Sequence, residues 1–435
     1  MTAEGADGAQ DKWPCDVLVV GAGPAGTAAA IEGARRGLDV VVVDKARFPR
    51  DKCCGDGLTT AALRHLDDLG LQRSELGSWI EVTEVHLRGP GGRSTSFPLP
   101  TDQGTFAAVC RRSELDLALV TLAHRSGATV LEGHELRDMR SAQDHVVALV
   151  DGIELRARFA IAADGMWSTA RKLLGAQIPR YRGEWHAFRQ YFRHVSPQAT
   201  RELMVWFEPD LLPGYAWSFP LGDGSANVGF GIQRGRGLPT QAMKELWPDL
   251  LSRSHVTHFL GADARPEGPH RAWPIPARLG RMPLTVGRVL FAGDAAAATD
   301  PLTGEGIGQA LETGRAAMQA IVEGRGDNPA GVTARYRRDL RLGMQRDHRL
   351  ARSLSAVMAH PRLADGAIAV AGATGWSRRR FARWLFEDYP RAVMMTPHRW
   401  ARDLFSRPGA FVAAPTATEV GPGPALSSLP PDVGE

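Results

Sequence analysis

Lysine is scarce in this chain of 435 residues: Lys12, Lys45, Lys52, Lys172 and Lys244 are its only members, so arginine carries nearly all of the positive charge. Cysteine is scarcer still, with four (Cys15, Cys53, Cys54 and Cys110), too few for a disulfide scaffold. No apolar run reaches the roughly 18 residues that a spanning helix needs, so no helix is expected to cross a bilayer. The opening MTAEGADGAQDKW lacks both a basic and an apolar segment, which predicts no secretory leader and, with so few cysteines, a reducing cytoplasm. Metal-ligand spacing, RNA-binding aromatic motifs and internal repeats are missing too, so neither a metal nor nucleic acid is expected. What is present, 43% hydrophobic and 23% charged residues with a net charge of +4, is globular composition, long enough for two or three lobes. The arginine excess suits anionic lipid heads or phosphates as well as a solvated surface.

Along the chain, Cys15 to Val20 is an apolar run, followed by GAGPAG, an alanine-rich segment and a second apolar run, DVVVVD. This predicts strand, turn, helix, strand. Helices are expected over TTAALRHLDDLG, SELDLALVTLAHRSG and GEGIGQALETGRAAMQAIVEG, and strands over 79–100, broken at GPGG. Residues 175–285, rich in Trp, Phe and Pro, read as a sheet-containing lobe inserted into the first. Residues 331–411 read as helical and arginine-rich. The segments 1–13 and 413–435 lack the apolar content to fold and are expected to be disordered.

Gly21, Gly23 and Gly26 form G-x-G-x-x-G between a predicted strand and helix. Glycine there permits a tight turn and close backbone approach, and the helix N-terminus offers amides and positive dipole to a pyrophosphate. Asp44 stands about twenty residues on, at the end of the second apolar run, where a carboxylate accepts hydrogen bonds from a ribose diol. A dinucleotide is therefore expected. Asp294 directly follows a buried-looking strand in VLFAGDAA, and Gly304, Gly306 and Gly308 lie at a helix start beyond it. A carboxylate there suits a ribityl hydroxyl, and the helix N-terminus suits negative charge on a reduced flavin. FAIAADGMWSTARK adds a strand ending at Asp164 and Gly165, with Ser168 and Arg171 beyond.

These three segments together resemble the flavoprotein superfamily of p-hydroxybenzoate hydroxylase fold, over about residues 14–330. The resemblance implies an α/β fold with a Rossmann-like FAD-binding domain split into 14–78, 106–172 and 285–330. An inserted mixed-sheet substrate domain (79–105 and 173–284) and a C-terminal helical region (331–411) would complete it. It also implies FAD contacts from Arg112, in CRRSELD, and from Gly293, Asp294, Gly304, Glu305, Gly306 and Ile307. Lys172 and Arg180 have no such placement and read as surface charge.

"FPRDKCCGDGL" then acquires a setting, because it resembles the geranylgeranyl reductase family, whose members read Pro-Cys-Gly-(Gly/Asp)-Gly here. Aligned on CGDG, Cys54 is the family cysteine, and Cys53 stands where proline is usual. The resemblance makes Cys54, Gly55, Asp56 and Gly57 part of the flavin site, the glycines allowing close approach to the ring. "PGYAWSFP" is similar to the family's Tyr-x-Trp-x-Phe-Pro segment, which implies that Tyr215, Trp217, Phe219 and Pro220 line the substrate cavity. Such enzymes saturate isolated alkenes of prenyl chains, which requires a hydride from reduced flavin N5 and a proton from a donor. Cys54 and Tyr215 both hold protons at neutral pH, and Trp217 offers a ring face to developing positive charge. From the residues alone, a buried structural cysteine and an ordinary half-buried strand remain open. Cys53 is expected to be inert, and a strained disulfide between the adjacent cysteines is not expected.

A prenyl substrate implies contact with a bilayer. Phe381, Trp384 and Leu385 at i, i+3, i+4, flanked by Arg378, Arg379 and Arg383, have the composition of an interfacial helix, and HRWARDLF (398–405) repeats the mixture. Residues 376–405 are thus expected to make peripheral contact at the inner face of the membrane; an ordinary helix with its aromatics on the core reads as well. The electron donor stays open, since no second dinucleotide motif occurs: NAD(P)H, a ferredoxin or a reduced quinol would each serve. Two other functions stay open. One is a flavin monooxygenase or halogenase acting on a secondary metabolite, although halogenases carry Trp-x-Trp-x-Ile-Pro where this chain has Tyr-Ala-Trp-Ser-Phe-Pro. The other is a prenyl-binding carrier without catalysis.

Overall fold

The computed structural model of the protein describes residues 12–236, 239–324, 328–400 and 403–412. Three sheets organise it. The first has eight strands, with Ile153–Ala162, Lys12–Val20, Val40–Asp44 and Thr129–Glu132 running parallel at its centre. Val40 to Val43 are all buried, as befits a parallel strand covered on both faces. The helix Pro24–Arg35 has proline at its start and alanines along its length, and it packs on the helix Ile307–Glu323. That contact is backbone to backbone, because a Cβ on Gly314 would lie 2.0 Å from the Ala25 carbonyl oxygen.

The second sheet has seven strands in the order Arg265–Ile275, Trp185–Arg193, Ser225–Gln233, Tyr215–Pro220, Leu203–Trp206, Glu84–Arg88 and Ser94–Pro98. Period-two alternation assigns its faces. Met204 and Trp206 join a core with Phe188, Phe230 and Trp247, under the helices Met243–Ser252 and Ser254–Leu260. Leu203 and Val205 point the other way, to Val85, Leu87, Ile368 and Phe381. The sheet thus presents an apolar face to the C-terminal helices Pro361–Ala371 and Gly375–Leu385. A third sheet of three short strands includes Gly57–Leu58, directly after the paired cysteines.

The architecture is the expected α/β one, with a Rossmann-like sheet, a mixed second sheet and C-terminal helices. Some particulars differ. The first strand begins at Lys12, inside the segment expected to be disordered; residues 1–11 and 413–435 lie outside the described residues. Regular helix ends at Leu385 rather than continuing toward 411, and the described residues beyond form short turns. Pro390, Pro397 and Pro408 supply no backbone donor, which prevents helical continuation. Among the described residues no helix is long and apolar enough to cross a membrane.

The Gly314 contact leaves no room for a side chain. Gly314→Ala is expected to lower stability by about 1–3 kcal/mol, read as a shifted urea midpoint with an unchanged slope.

Candidate active site

A cavity of about 940 Å³ runs from the glycine-rich turn of the first sheet to the apolar face of the second. At one end its wall holds Gly21, Gly23, Asp44, Arg112, Asp164, Gly165, Gly293 and Asp294. Gly21 has φ 100°, and a Cβ there would stand 2.4 Å from the Ala163 carbonyl oxygen. The helix beginning after Gly23 carries no side-chain cap, which leaves its N-terminal amides for a ligand. Asp44 accepts from the Ala22 and Ala46 amides at 2.7 and 2.8 Å, an arrangement that fixes its carboxylate at the wall. Asp164 accepts from the Ala170 amide with Oδ2, while Oδ1 is buried without a partner. An orphaned acceptor, open amides and backbone left bare of side chains fit FAD. Arg112 is held by Asp116 through two bonds of 2.9 Å, and although burial works against its charge, Asp116 keeps its pKa above the usual arginine value.

Glu305, Gly306, Ile307 and Gly304 also line the cavity, beside the start of the helix Ile307–Glu323. Cys54, Gly55, Asp56, Gly57, Tyr215, Trp217 and Phe219 occupy its middle. Two expected residues are not on this wall. Gly26 lies behind it, where a Cβ would stand 1.8 Å from the Gly21 oxygen, so its absent side chain serves strand-to-helix packing. Pro220 sits at the strand end opposite Ala226, on the reverse side of the period-two alternation from Phe219. Gly55 and Gly57 admit close approach, yet the neighbour within reach is Phe219, at 3.3 and 3.0 Å from their would-be Cβ atoms. Lys172 is exposed and Arg180 exposed, as expected for surface charge.

The loop bearing Cys54 is clamped by groups that sequence reasoning did not single out. Asn227 donates to the Cys54 carbonyl and to Asp56 Oδ2, each at 2.8 Å, and accepts from Trp217 Nε1 at 3.2 Å. Tyr191 donates to the same Asp56 oxygen at 2.6 Å, and Arg189 donates to Asp51 and to the Lys52 and Cys54 carbonyls. Asp56 has φ 66°, a left-handed conformation in a residue with a side chain, and it is fully buried. Burial raises its pKa despite the bonds from Tyr191 and Asn227. The Cys54 thiol is also pushed up by burial; its sulfur accepts from the Asp56 amide at 3.3 Å. Burial raises the Tyr215 hydroxyl too, which donates to the Thr303 carbonyl. Cys53, whose thiol burial pushes up to about 11, bonds only to the Arg271 carbonyl at 3.6 Å, and all four cysteines are free. Lys52 lies 3.6 Å above the Trp273 ring on the cavity wall, its pKa lowered by burial.

Beyond Tyr215 the cavity becomes apolar, bounded by Val85, Leu87, Leu203, Val205, Phe207 and, opposite them, Leu354, Ile368, Phe381, Trp384 and Leu385. The stripe at 381, 384 and 385 therefore turns inward, which agrees with the ordinary-helix reading rather than the interfacial one. Arg383, expected as a cationic flank, is 8% exposed and bonds to Asp388. Under the Tyr215 end lies a cluster of charge. Asp300 accepts from Arg391 Nε at 2.9 Å and from the Leu302 and Thr303 amides. Arg391 also reaches Glu387 at 3.1 Å, and Glu387 accepts from Thr59 and Gln309. Burial pushes Glu305 up to about 7 and Glu387 up to about 8. No short motif marks Asn227, Arg189, Glu387 or Arg391, since each acquires its neighbours from distant parts of the chain.

Residues 14–328 match the family model described as FAD binding domain. A menaquinone reductase of Mycolicibacterium smegmatis is 37% identical over 332 residues, covering 71% of this chain and 76% of that protein. Digeranylgeranylglycerophospholipid reductase 1 of Methanopyrus kandleri is 32% identical over 341 residues, covering 74% of this chain and 84% of that one. The crystal structure of a geranylgeranyl bacteriochlorophyll reductase-like protein from Thermoplasma acidophilum superposes with a TM-score of 0.73 at 22% identity, over 90% of this chain and 100% of that one. That last likeness establishes the fold.

Removing the Asn227 amide strands the Trp217 N–H and frees Asp56 on one side. Asn227→Ala is expected to cost about 1–3 kcal/mol, measured by denaturant unfolding, with faster alkylation of Cys54 in the folded protein.

Proposed function

The chain belongs to the FAD-binding domain family and is an FAD-dependent oxidoreductase of the geranylgeranyl reductase kind, and from that premise we propose that it saturates isolated C=C bonds of a prenyl chain. The carrying observation is that the dinucleotide-shaped wall and the apolar recess are one cavity, meeting at Cys54, Tyr215 and Trp217. Relatives named for menaquinone and for a digeranylgeranyl lipid support an isoprenoid on a quinone or glycerolipid as the substrate class.

Reduced FAD, when bound, supplies the hydride. The residues of the chain supply the rest. The backbone at Gly21, Gly23 and the start of the helix Ile307–Glu323 would hold the cofactor, with Asp44, Asp164, Asp294 and Arg112 as polar partners. The aliphatic wall from Val85 to Leu385 excludes water and orients the chain. Cys54 and Tyr215 keep their protons in this setting, because burial disfavours thiolate and phenolate. Either one would deliver a proton to the alkene carbon that does not receive hydride. The Trp217 face, fixed by Asn227, would favour positive charge at the more substituted carbon.

Access for a lipid would come through the C-terminal helices. Leu363, Val370 and Trp376 are 51%, 74% and 66% exposed, and Arg379 is exposed beside Trp376. These outward residues, rather than Phe381, Trp384 and Leu385, would rest on the bilayer surface. The reductant would be NAD(P)H or a ferredoxin.

Two experiments test this reading. In an anaerobic half-reaction, photoreduced holoprotein mixed with a menaquinone or geranylgeranyl diphosphate should be reoxidised, with product heavier by two hydrogens. Cys54→Ser or Tyr215→Phe should slow that step by about 10²-fold or more. Flavin that stays reduced until oxygen enters, then yields peroxide or a hydroxylated product, would replace this reading with a monooxygenase. For the membrane, Val370→Ser with Trp376→Ser should weaken sedimentation with anionic vesicles; unchanged binding would remove these helices from the contact.

A further inference from the structure

Alkene reduction in an apolar cavity leaves a question of supply. Each turnover removes one proton from a donor that the bound cofactor and prenyl chain would cover. The answer rests on the proposed prenyl reduction and on the cluster beneath Tyr215.

Three carboxyls meet there, and Arg391 supplies one positive charge against them. The side chains of Asp300 and Arg391 are each 2% exposed and share a bond of 2.9 Å. Arg391 divides its charge between Asp300 and Glu387, which it reaches at 3.1 Å. Glu305 then stands on the cavity wall, its Oε1 accepting from the Gly308 amide at 2.7 Å. Glu387 stands one layer behind, with 11% of its side chain exposed. Thr59, itself on the wall, donates to Glu387 Oε2 at 3.2 Å and so bridges that carboxyl to the cavity. Glu387 reaches its place in a left-handed conformation, φ 57°, which a residue with a side chain adopts only where its surroundings impose it. Arg391, shared between Asp300 and Glu387, is one positive charge against three carboxyls, so full ionisation would leave uncompensated negative charge and the glutamate pair retains a proton.

A second observation concerns the far side of the cluster. His348, on the helix Met344–Met358, is 1% exposed, and both its ring nitrogens lack a partner. Its charged neighbours are Asp300, Arg352, Asp347 and Arg391. Gln309 donates to Glu387 through Nε2, yet its Oε1 is buried without a partner. His348 thus faces Asp300, and Gln309 flanks Glu387, each with an unpaired polar atom that an ion cluster serving packing alone would avoid.

We infer that Glu305 and Glu387 form an internal proton store that recharges the cavity's proton donor. The step balances. The alkene π bond breaks and two C–H bonds form, one with the hydride and its electron pair from the reduced cofactor, the other with the proton of Tyr215 or Cys54. The resulting phenolate or thiolate takes a proton from the glutamic acid pair. The glutamate left behind takes one from water between turnovers. The groups facing the pair are Asp300, Arg391, Tyr215 and Cys54, with Thr59 and Gln309 neutral; His348 and Asp347 lie against Asp300 and Arg391.

The sign with pH follows. Burial raises both glutamates above the ordinary carboxylate value of 4.5. The protonated store is therefore full below that value, and is lost as pH rises through about 7 and about 8. Turnover that depends on it should decline on the alkaline side.

The test uses holoprotein and begins without substrate. Infrared difference spectra between the oxidised and photoreduced states at neutral pH should show a protonated carboxyl band that shifts in D₂O and is lost in Glu387→Gln or Glu305→Gln. With prenyl substrate, Glu387→Gln should lower turnover by about 10²-fold and abolish its alkaline decline, and Glu387→Asp should restore that decline. Absence of the band in the unsubstituted protein overturns the inference, as does a band that survives both substitutions. Slower turnover with the alkaline limb unmoved in both glutamine variants also overturns it, because a structural defect behaves that way. Failure of the unsubstituted protein to reduce any alkene would instead defeat the prenyl reading, while the band still reports whether the pair holds a proton.

Discussion

The amide of Asn227 joins the two halves of the site. It ties a strand of the seven-stranded sheet to the Cys54 carbonyl and to Asp56, both on the loop leaving the first sheet, and orients Trp217 with its remaining acceptor. In water these bonds would be exchanged for equivalent ones at small net gain. Enclosed between two sheets, each unmade bond would cost the full desolvation of its partners, so the arrangement is stringent in register as well as stabilising. Arg189 and Tyr191 reinforce the same loop from the neighbouring strand. The position of Cys54 relative to Tyr215 is thus set by buried polar bonds, while the apolar packing around them sets only proximity.

The same exclusion of water governs the chemistry. It raises the proton affinity of Cys54, Tyr215, Asp56, Glu305 and Glu387 together, since each would ionise to an anion in a poorly solvating interior. Arg112 and Arg391 keep their charge because Asp116 and Asp300 lie against them. A cavity of this kind holds neutral acids near an alkene and shelters reduced flavin from side reactions, two conditions that saturation of an unactivated double bond imposes.

How far the sequence could be read differs from element to element. GAGPAG, Asp44, the DG pair at 164 and the GD pair at 293 were legible because their function depends on backbone conformation at fixed local spacing. CCGDG and YAWSFP were read through family resemblance, which also set Pro220 on the cavity wall; in the structure strand alternation keeps Tyr215, Trp217 and Phe219 on one face and turns Pro220 to the other. The stripe at 381, 384 and 385 left two readings open, a bilayer contact or an ordinary helix packing its aromatics inward, and it is the cavity wall. An amphipathic helix has the same period whether its apolar face meets a sheet or a lipid, and only the second sheet's bare face decides between them.

The sequence by itself determined the dinucleotide cradle, the α/β class and the pairing of a cysteine loop with an aromatic strand, because turns, helix starts and strand alternation are encoded within a few residues. Tertiary structure alone decided that Asn227 and Arg189 hold the Cys54 loop and that Glu387, Arg391 and His348 gather around Asp300. Each is an ordinary polar residue in its own segment. Its chemistry arises only when chain closure brings it, across tens to hundreds of positions, into a space without water, where the strength of a charge or hydrogen bond depends on every neighbour it meets.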